Sequence, residues 1–591
     1  MTSSPIRLAL AFAIILAALP ARAQTAGTAP AGGSTGVSTG SVNTGGVSPL
    51  VLPQPAPLSA AASTTTSGVE VGSLGSVTPD YGGTLEEGGG GFPLDMWKGT
   101  DRALVERLLP QLPAAPSSPA MRDLARRLLL TNAEAPTGQA TINLFGVRAD
   151  RLAAMGLFSD AAALLALQPV SSVDATSARL RIKAQLLAGD VDGACKTVDD
   201  TRKVASADVD WQETQVFCQL RSGKADQAAL GIEILRDQNQ NDPAFFKLAE
   251  AMGGDKSVAI ASLPDPSPLD LAMLQAAGLP LPPDAARATD PAVLAAVAQD
   301  STVDPAIRLA AAEQAAAAGS LSIDKLQQAY ANVAYAPADI GNAIDISSRD
   351  PGPGGRALLF QAAGVAQQPA DRAHVLQAAL DRARRQGGYI LAVRTNLLYL
   401  LPLQPSPDLI WFAADAGRAL YASGHFEQAN AWLQTAQDKA ASDPQAAAAA
   451  SALAVYARIA GVGQPLFWDA AAVQKWRQAQ AAGGSSADPV NRLFAVFEGI
   501  GEPIGGSWTL IGQTAASGGA PDPALWFNLG DAANNGRIGE TVLLSLCALG
   551  EGGPASANPI LLSRAISSLR QVGLDAEARA IAIEAAIAAG V

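Results

Sequence analysis

Histidine is nearly missing from this chain, with 2 copies in 591 residues, His374 and His425. A zinc site needs three or four ligands at set spacing, and a Ser-His-Asp triad needs a histidine, so both chemistries have little to draw on. Each histidine reads as a surface residue, His425 beside a turn glycine and His374 among charged helical neighbours. Cysteine is scarce too, with Cys195, Cys218 and Cys547 as its 3 copies. Aromatic residues make up only 5%, and much of the 48% hydrophobic fraction is alanine. Alanine is the best helix former and lets helices approach closely, which points to thin, layered cores. Runs of Lys and Arg are absent and the formal charge is −13, which argues against a nucleic-acid-binding surface. The acidic residues are scattered, as plain solubility requires.

Motifs that carry chemistry are missing in the same way. No Gly-x4-Gly-Lys-Ser/Thr phosphate loop is present. Two Gly-x-Ser-x-Gly matches, Gly32–Gly36 and Gly36–Gly40, have no strand before them and no helix after. Ser322-Ile323-Asp324-Lys325 has no Lys-Thr-Gly companion, and Ser322 reads as a helix N-cap. Asp190-Val191-Asp192-Gly193 fails the spacing of a calcium loop. Paired carboxylates such as Glu86-Glu87 and Asp199-Asp200 lie in polar text, so no general acid can be assigned. The expectation is a chain with no catalytic residue, no metal and no cofactor.

What is present begins with an address. Arg7 precedes an apolar run from Leu8 to Leu19, Pro20 breaks it, and Ala21-Arg22-Ala23 gives a small-x-small cleavage pattern. The run is too short to span a bilayer, and no later run reaches 18 apolar residues. Residues 1–23 are therefore expected to be a bacterial signal peptide cut near Ala23. The mature protein is expected in the periplasm or outside the cell, with no transmembrane segment. Residues 24–91 are Gly, Ser, Thr, Pro and Val with little charge, and are expected to be a disordered tether. Phe92-Pro93-Leu94-Asp95-Met96-Trp97 follows as an apolar knot, expected to cover the open face of the first repeat, with docking of a partner as the alternative reading. Thr100 is expected to cap the first helix, which starts at Asp101.

A phrase recurs through the rest: glycine, four residues, then a small residue. It occurs at Gly156–Ala161, Gly189–Ala194, Gly223–Ala228, Gly424–Ala429, Gly536–Thr541 and Gly573–Ala578. A glycine suits the left-handed end of one helix, and a small side chain five residues on lets the next helix cross closely. The period in the thirties marks stacked helical hairpins. The grammar is clear in residues 92–256, fades in a proline-rich helical middle at 257–402, and resumes in 403–591. The expected fold is all-α, an irregular α-solenoid of stacked helical hairpins after the tether.

This text resembles the tetratricopeptide repeat, a helical hairpin of about 34 residues. The resemblance implies that first helices line a concave surface, with Arg179, Lys183, Glu213, Phe217 and Arg221 as contacts and Trp411, Arg418 and Tyr421 as a second patch. In such a stack the second helix of one unit packs antiparallel to the first helix of the next. Cys195 and Cys218 then stand at one level, and a disulfide between them is expected in an oxidising compartment. Cys547 reads as buried and inert. The functional expectation is an exported, non-enzymatic scaffold or adaptor of the bacterial envelope that binds protein or peptide partners. The alternative is an accessory subunit of an envelope enzyme or export machine, acting on peptidoglycan or polysaccharide, with catalysis on another chain.

Overall fold

Aspartate and glycine set where the helices begin and end. Asp101, Asp174, Asp190, Asp208, Asp242, Asp290, Asp304, Asp443 and Asp522 each sit just ahead of a helix and accept a hydrogen bond from its first backbone N–H groups. In five of them a proline follows at once, where its missing N–H costs nothing. Asp101 caps the first helix itself, while Thr100 is fully buried. The scattered acidic residues thus have a local use at helix starts. At the other end of the hairpins, all six glycines of the recurring phrase take positive φ, between 66° and 88°. Each of the six small residues five positions on is buried, at 1% exposure or less.

The computed structural model describes residues 82–168, 173–238, 240, 242–255, 257–462, 488–502 and 521–590. The expected signal peptide, and the expected tether as far as residue 81, lie outside the described residues. In chain order the helices begin with α1 (Arg102–Leu108), α2 (Pro119–Leu130), α3 (Leu144–Ala154), α4 (Phe158–Ala166), α5 (Ala175–Leu187), α6 (Val191–Asp200) and α7 (Arg202–Ala205). They continue with α8 (Val209–Arg221), α9 (Ala225–Asp237), α10 (Pro243–Met252), α11 (Pro268–Ala277), α12 (Pro291–Gln299), α13 (Pro305–Ala318) and α14 (Ile323–Ala331). Next are α15 (Pro337–Gly341), α16 (Ala343–Arg349), α17 (Pro353–Val365), α18 (Pro369–Gln386), α19 (Tyr389–Leu400), α20 (Ala413–Ala422) and α21 (Phe426–Lys439). The last described are α22 (Pro444–Ala460), α23 (Asp488–Gly499), α24 (Pro523–Asn534), α25 (Ile538–Leu549), α26 (Gly553–Ser556), α27 (Pro559–Gln571) and α28 (Asp575–Ala588). Among the described residues there is no strand, only two isolated bridges, so the fold is all-α. None of the described helices is long and apolar enough to cross a membrane.

Neighbours in sequence pair as hairpins: α3 with α4, α5 with α6, α8 with α9, α12 with α13, α20 with α21, α24 with α25 and α27 with α28. Three larger cores result. One lies under α5 to α11, from Ala178 to Leu274, and a second under the middle helices, from Ala288 to Phe360. The third contains residues from both ends of the described chain, mainly from Phe92 to Leu165 and from Tyr389 to Ala589, joined by a few between them such as Leu180, Ala292 and Leu376.

That shared core changes two expectations. Residues 82–91, assigned to the expected tether, are packed on the fold instead, because Thr84 and Leu85 donate to the Leu130 carbonyl and Gly82 accepts from Arg148. The apolar knot does not cover the first repeat alone. Met96 accepts a hydrogen bond from the Gly539 N–H, and the Trp97 ring lies against Gly539, so the knot roofs α25 near the far end of the sequence. The physical reason is the composition of α25. Residues Gly539–Leu546 are buried in succession, all round the helix, and such a helix must be covered on every side. Glu551 adds to the seam by accepting from the Ala114 and Ala115 N–H groups, at 2.7 and 3.0 Å.

Candidate functional site

α5 and α8 are first helices of adjacent hairpins, and α10 and α11 come next along the same array. Where the four meet they leave a recess of about 100 Å³ floored by Ile182, Leu186, Trp211 and Leu269. Its rim is charged. Lys183 pairs with Asp210 at 2.9 Å, and Arg179 lies 3.5 Å from Asp208. Asp242 is held at its place on the wall by the Ala244 and Phe245 N–H groups, both at 3.0 Å. Asp270 stands close by in a capping box with Ser267.

Glu213 also lines the recess, and it is the exception on this wall. Its carboxyl makes no hydrogen bond or ion pair with any described residue. Burial, and then the nearby carboxylates of Asp242, Asp210, Asp270 and Asp208, push its pKa up to about 8. It therefore holds a proton near neutral pH. A cation brought into the recess would be attracted by these carboxylates and would displace that proton.

Of the eight surface contacts expected from sequence, Arg179, Lys183 and Glu213 come together at this recess. Arg221 is exposed at the far end of α8 and pairs with Asp192. Phe217 is a correction: it is fully buried and belongs to the core. α8 packs against α5, α6, α9, α10 and α11 together, which leaves only a narrow strip of it free. The second patch separates in the same manner. Trp411 is half-buried and stacks on His374 with ring centres 4.1 Å apart. Arg418 turns inward to Asp415 at 3.4 Å, and Arg384 reaches the same carboxylate at 3.1 Å. Tyr421 is a second correction, buried at 1% exposure against Tyr456. α20 is enclosed by α19, α21, α22 and α28, so its inward positions have no open side.

Cys195 and Cys218 are joined, with their Cα atoms 5.7 Å apart. The bond ties the second helix of one hairpin, α6, to the first helix of the next, α8. Cys547 is free, and burial pushes its thiol up to about 11, so it carries almost no thiolate at neutral pH. Ser322 caps α14 by accepting from the Lys325 N–H. Asp190 caps α6, and among the described residues no group of three or more His, Cys, Asp or Glu is placed to hold a metal ion.

Sequence reasoning missed a larger cleft of about 760 Å³ between the α5–α6 turn and α11, α12 and the start of α14. Polar and apolar surface share its walls about equally, with Leu186, Leu271 and Leu281 on the apolar side, and its two charged residues are Asp300 and Lys325. Asp300 is taken by Thr302, and Lys325 by Gln299. No local motif announces it, because one wall comes from residues 156–191 and the other from residues 271–325.

Comparison with known proteins gives no family to transfer. No family model, curated protein or solved structure matches the chain. The residues themselves are the only guide to function.

Proposed function

We propose that this protein is an exported scaffold or adaptor of the bacterial cell envelope, and that its N-terminal array binds extended segments of a protein partner. The observation that carries this reading is the recess at the meeting of α5, α8, α10 and α11, with the unpartnered carboxyl of Glu213 on its wall. A basic side chain entering it would rest its methylenes on Trp211 and Leu269 and set its charge among Glu213, Asp210 and Asp242. The resemblance to tetratricopeptide repeats supports the same placement, since first helices line the groove in that architecture. Export is supported by the Leu8–Leu19 run with its Ala21-Arg22-Ala23 site, and the Cys195–Cys218 bond fits an oxidising compartment.

On this reading the chain supplies a surface and its partner supplies any catalysis. A photoreactive residue at position 179 is expected to trap a protein partner in intact cells. Reversing the charge with Glu213→Lys should cut that yield by about tenfold or more, since a like charge in a small recess costs over 1 kcal/mol. A trapped partner that is itself an enzyme would make this chain its accessory subunit. Release of sugars or muropeptides from purified cell wall by the protein alone would overturn the proposal.

A further inference from the structure

A third cavity, of about 230 Å³, opens where α2, the α13–α14 turn and α19 come together. Its lining holds three arginines, Arg122 and Arg126 from α2 and Arg394 from α19, against a single carboxylate, Asp123. In a chain of net charge −13 that is a local reversal of sign. Arg126 is already satisfied, since it grips Asp160 with two hydrogen bonds of 2.6 and 2.9 Å. Asp123 is largely exposed, and its ion-pair partner is Arg127, at 3.9 Å.

That leaves two guanidinium groups. Arg122 donates to the Pro116 carbonyl at 2.7 Å and makes no ion pair among the described residues. Arg394 makes neither a hydrogen bond nor an ion pair among them, and its residue is exposed at the cavity mouth. The two are close enough to repel. Burial first, and then the Arg394 charge, push the pKa of Arg122 below its usual value.

One carboxyl stands behind them. Glu584, on α28, is near both arginines, but it accepts from the Ala120 N–H at 3.1 Å and faces the Ser118 hydroxyl. Burial raises its pKa, so it is a poor counter-ion for two cations. Positive charge is therefore left over in a recess with room for several waters, taking about 30 Å³ for each. Ser322 and Ile323, at the start of the nine-residue α14, also line it and add the positive end of a helix.

We propose that this cavity binds a small oxyanion, held between the Arg122 and Arg394 guanidinium groups. Planar guanidinium forks match the oxygens of phosphate and carboxylate groups, and a shared anion removes the repulsion between them. The site is separate from the recess at Glu213 and does not depend on the peptide-binding reading. Its ligand would touch α2 from the N-terminal part of the chain, α14 from the middle, and α19. Occupancy would thus hold three distant stretches of sequence together.

The test is thermal unfolding and calorimetric titration of the whole protein with inorganic phosphate or citrate, at ionic strength fixed with sodium chloride. A saturable rise in the unfolding midpoint is expected with at least one of them. A response to phosphate alone assigns a tetrahedral anion, and one to citrate alone assigns a carboxylate. Arg394 is exposed, so Arg394→Gln should fold normally while weakening the binding tenfold or more, with Arg394→Lys falling in between. Arg122→Gln should act in the same direction. The proposal is overturned if neither anion gives a saturable effect beyond chloride, or if Arg394→Gln binds as tightly as the parent.

Discussion

At the level of single residues, the turn glycines show two separate demands on one residue type. Gly189 has φ of 75°, and a Cβ there would meet nothing within 4 Å. Gly156 has nearly the same φ, 76°, but its Cβ would fall 2.8 Å from the Cβ atoms of both Pro291 and Ser320. Gly189→Ala should therefore cost only the left-handed backbone, about 1–2 kcal/mol. Gly156→Ala should cost that and about 1–3 kcal/mol more, because the approach of α12 leaves no space. Urea unfolding of the two variants measures the difference, and equal losses would refute the close packing. Glu213 gives a second prediction at this scale. Its folded pKa of about 8 lies above the ordinary glutamate value of 4.5. Stability from this group is thus complete below about pH 4.5 and is lost as pH rises through about 8. Glu213→Gln should flatten the stability profile across that window and make the protein more stable than its parent at pH 9. An unchanged profile would mean that the carboxyl ionises normally. The turn glycines were legible in the sequence because a left-handed turn leaves a mark at one position. The carboxyl pressure on Glu213 was not, because Asp242 and Asp270 reach it from other helices.

For the helices and hairpins, the Cys195–Cys218 bond is the test of how the units stack. It links α6 to α8 across 23 positions of sequence. Closing a loop of that length stabilises by roughly 3 kcal/mol on the chain-entropy account. Cys195→Ser with Cys218→Ser should lower stability by about that much while leaving the helical content unchanged. Alkylation of the exported protein with and without reductant should show one free thiol and three, respectively; three in both samples would remove the bond. The level of the two cysteines followed from the hairpin spacing alone, so this part of the fold was readable from text. Phe217 and Tyr421 mark where such reading stops. Helical periodicity places them on the face of a first helix, but not which neighbours enclose that face. α8 is surrounded by five helices and α20 by at least four, and one of those partners comes from more than 150 residues away. The same limit hid the cleft between residues 156–191 and 271–325.

For the molecule as a whole, the question is whether the array behaves as an open stack or a closed one. In an open stack each unit touches only its neighbours, and the two ends respond separately to change. Here the contacts make a circuit: α2 to α3, α4 and α5, on to α12, α13 and α14, then α19, α20 and α28, and from α28 back to α2. Arg127 of α2 pairs with Glu577 of α28 at 2.5 Å, and Trp97 seals α25. Trp97→Ala should cost about 3–5 kcal/mol, as removal of a buried aromatic does. The informative readout is the place where the loss is felt. Cys547 lies on α25, more than 400 residues along the chain, and its thiol is the free one. In a closed circuit Trp97→Ala uncovers α25, so Cys547 should be alkylated faster in the variant under native conditions. Leu94→Ala, in the same knot but 42% exposed, should leave the rate unchanged. If Trp97→Ala lowers stability but Cys547 reacts at the parental rate, the knot belongs to the first helices alone and the ends of the array are independent.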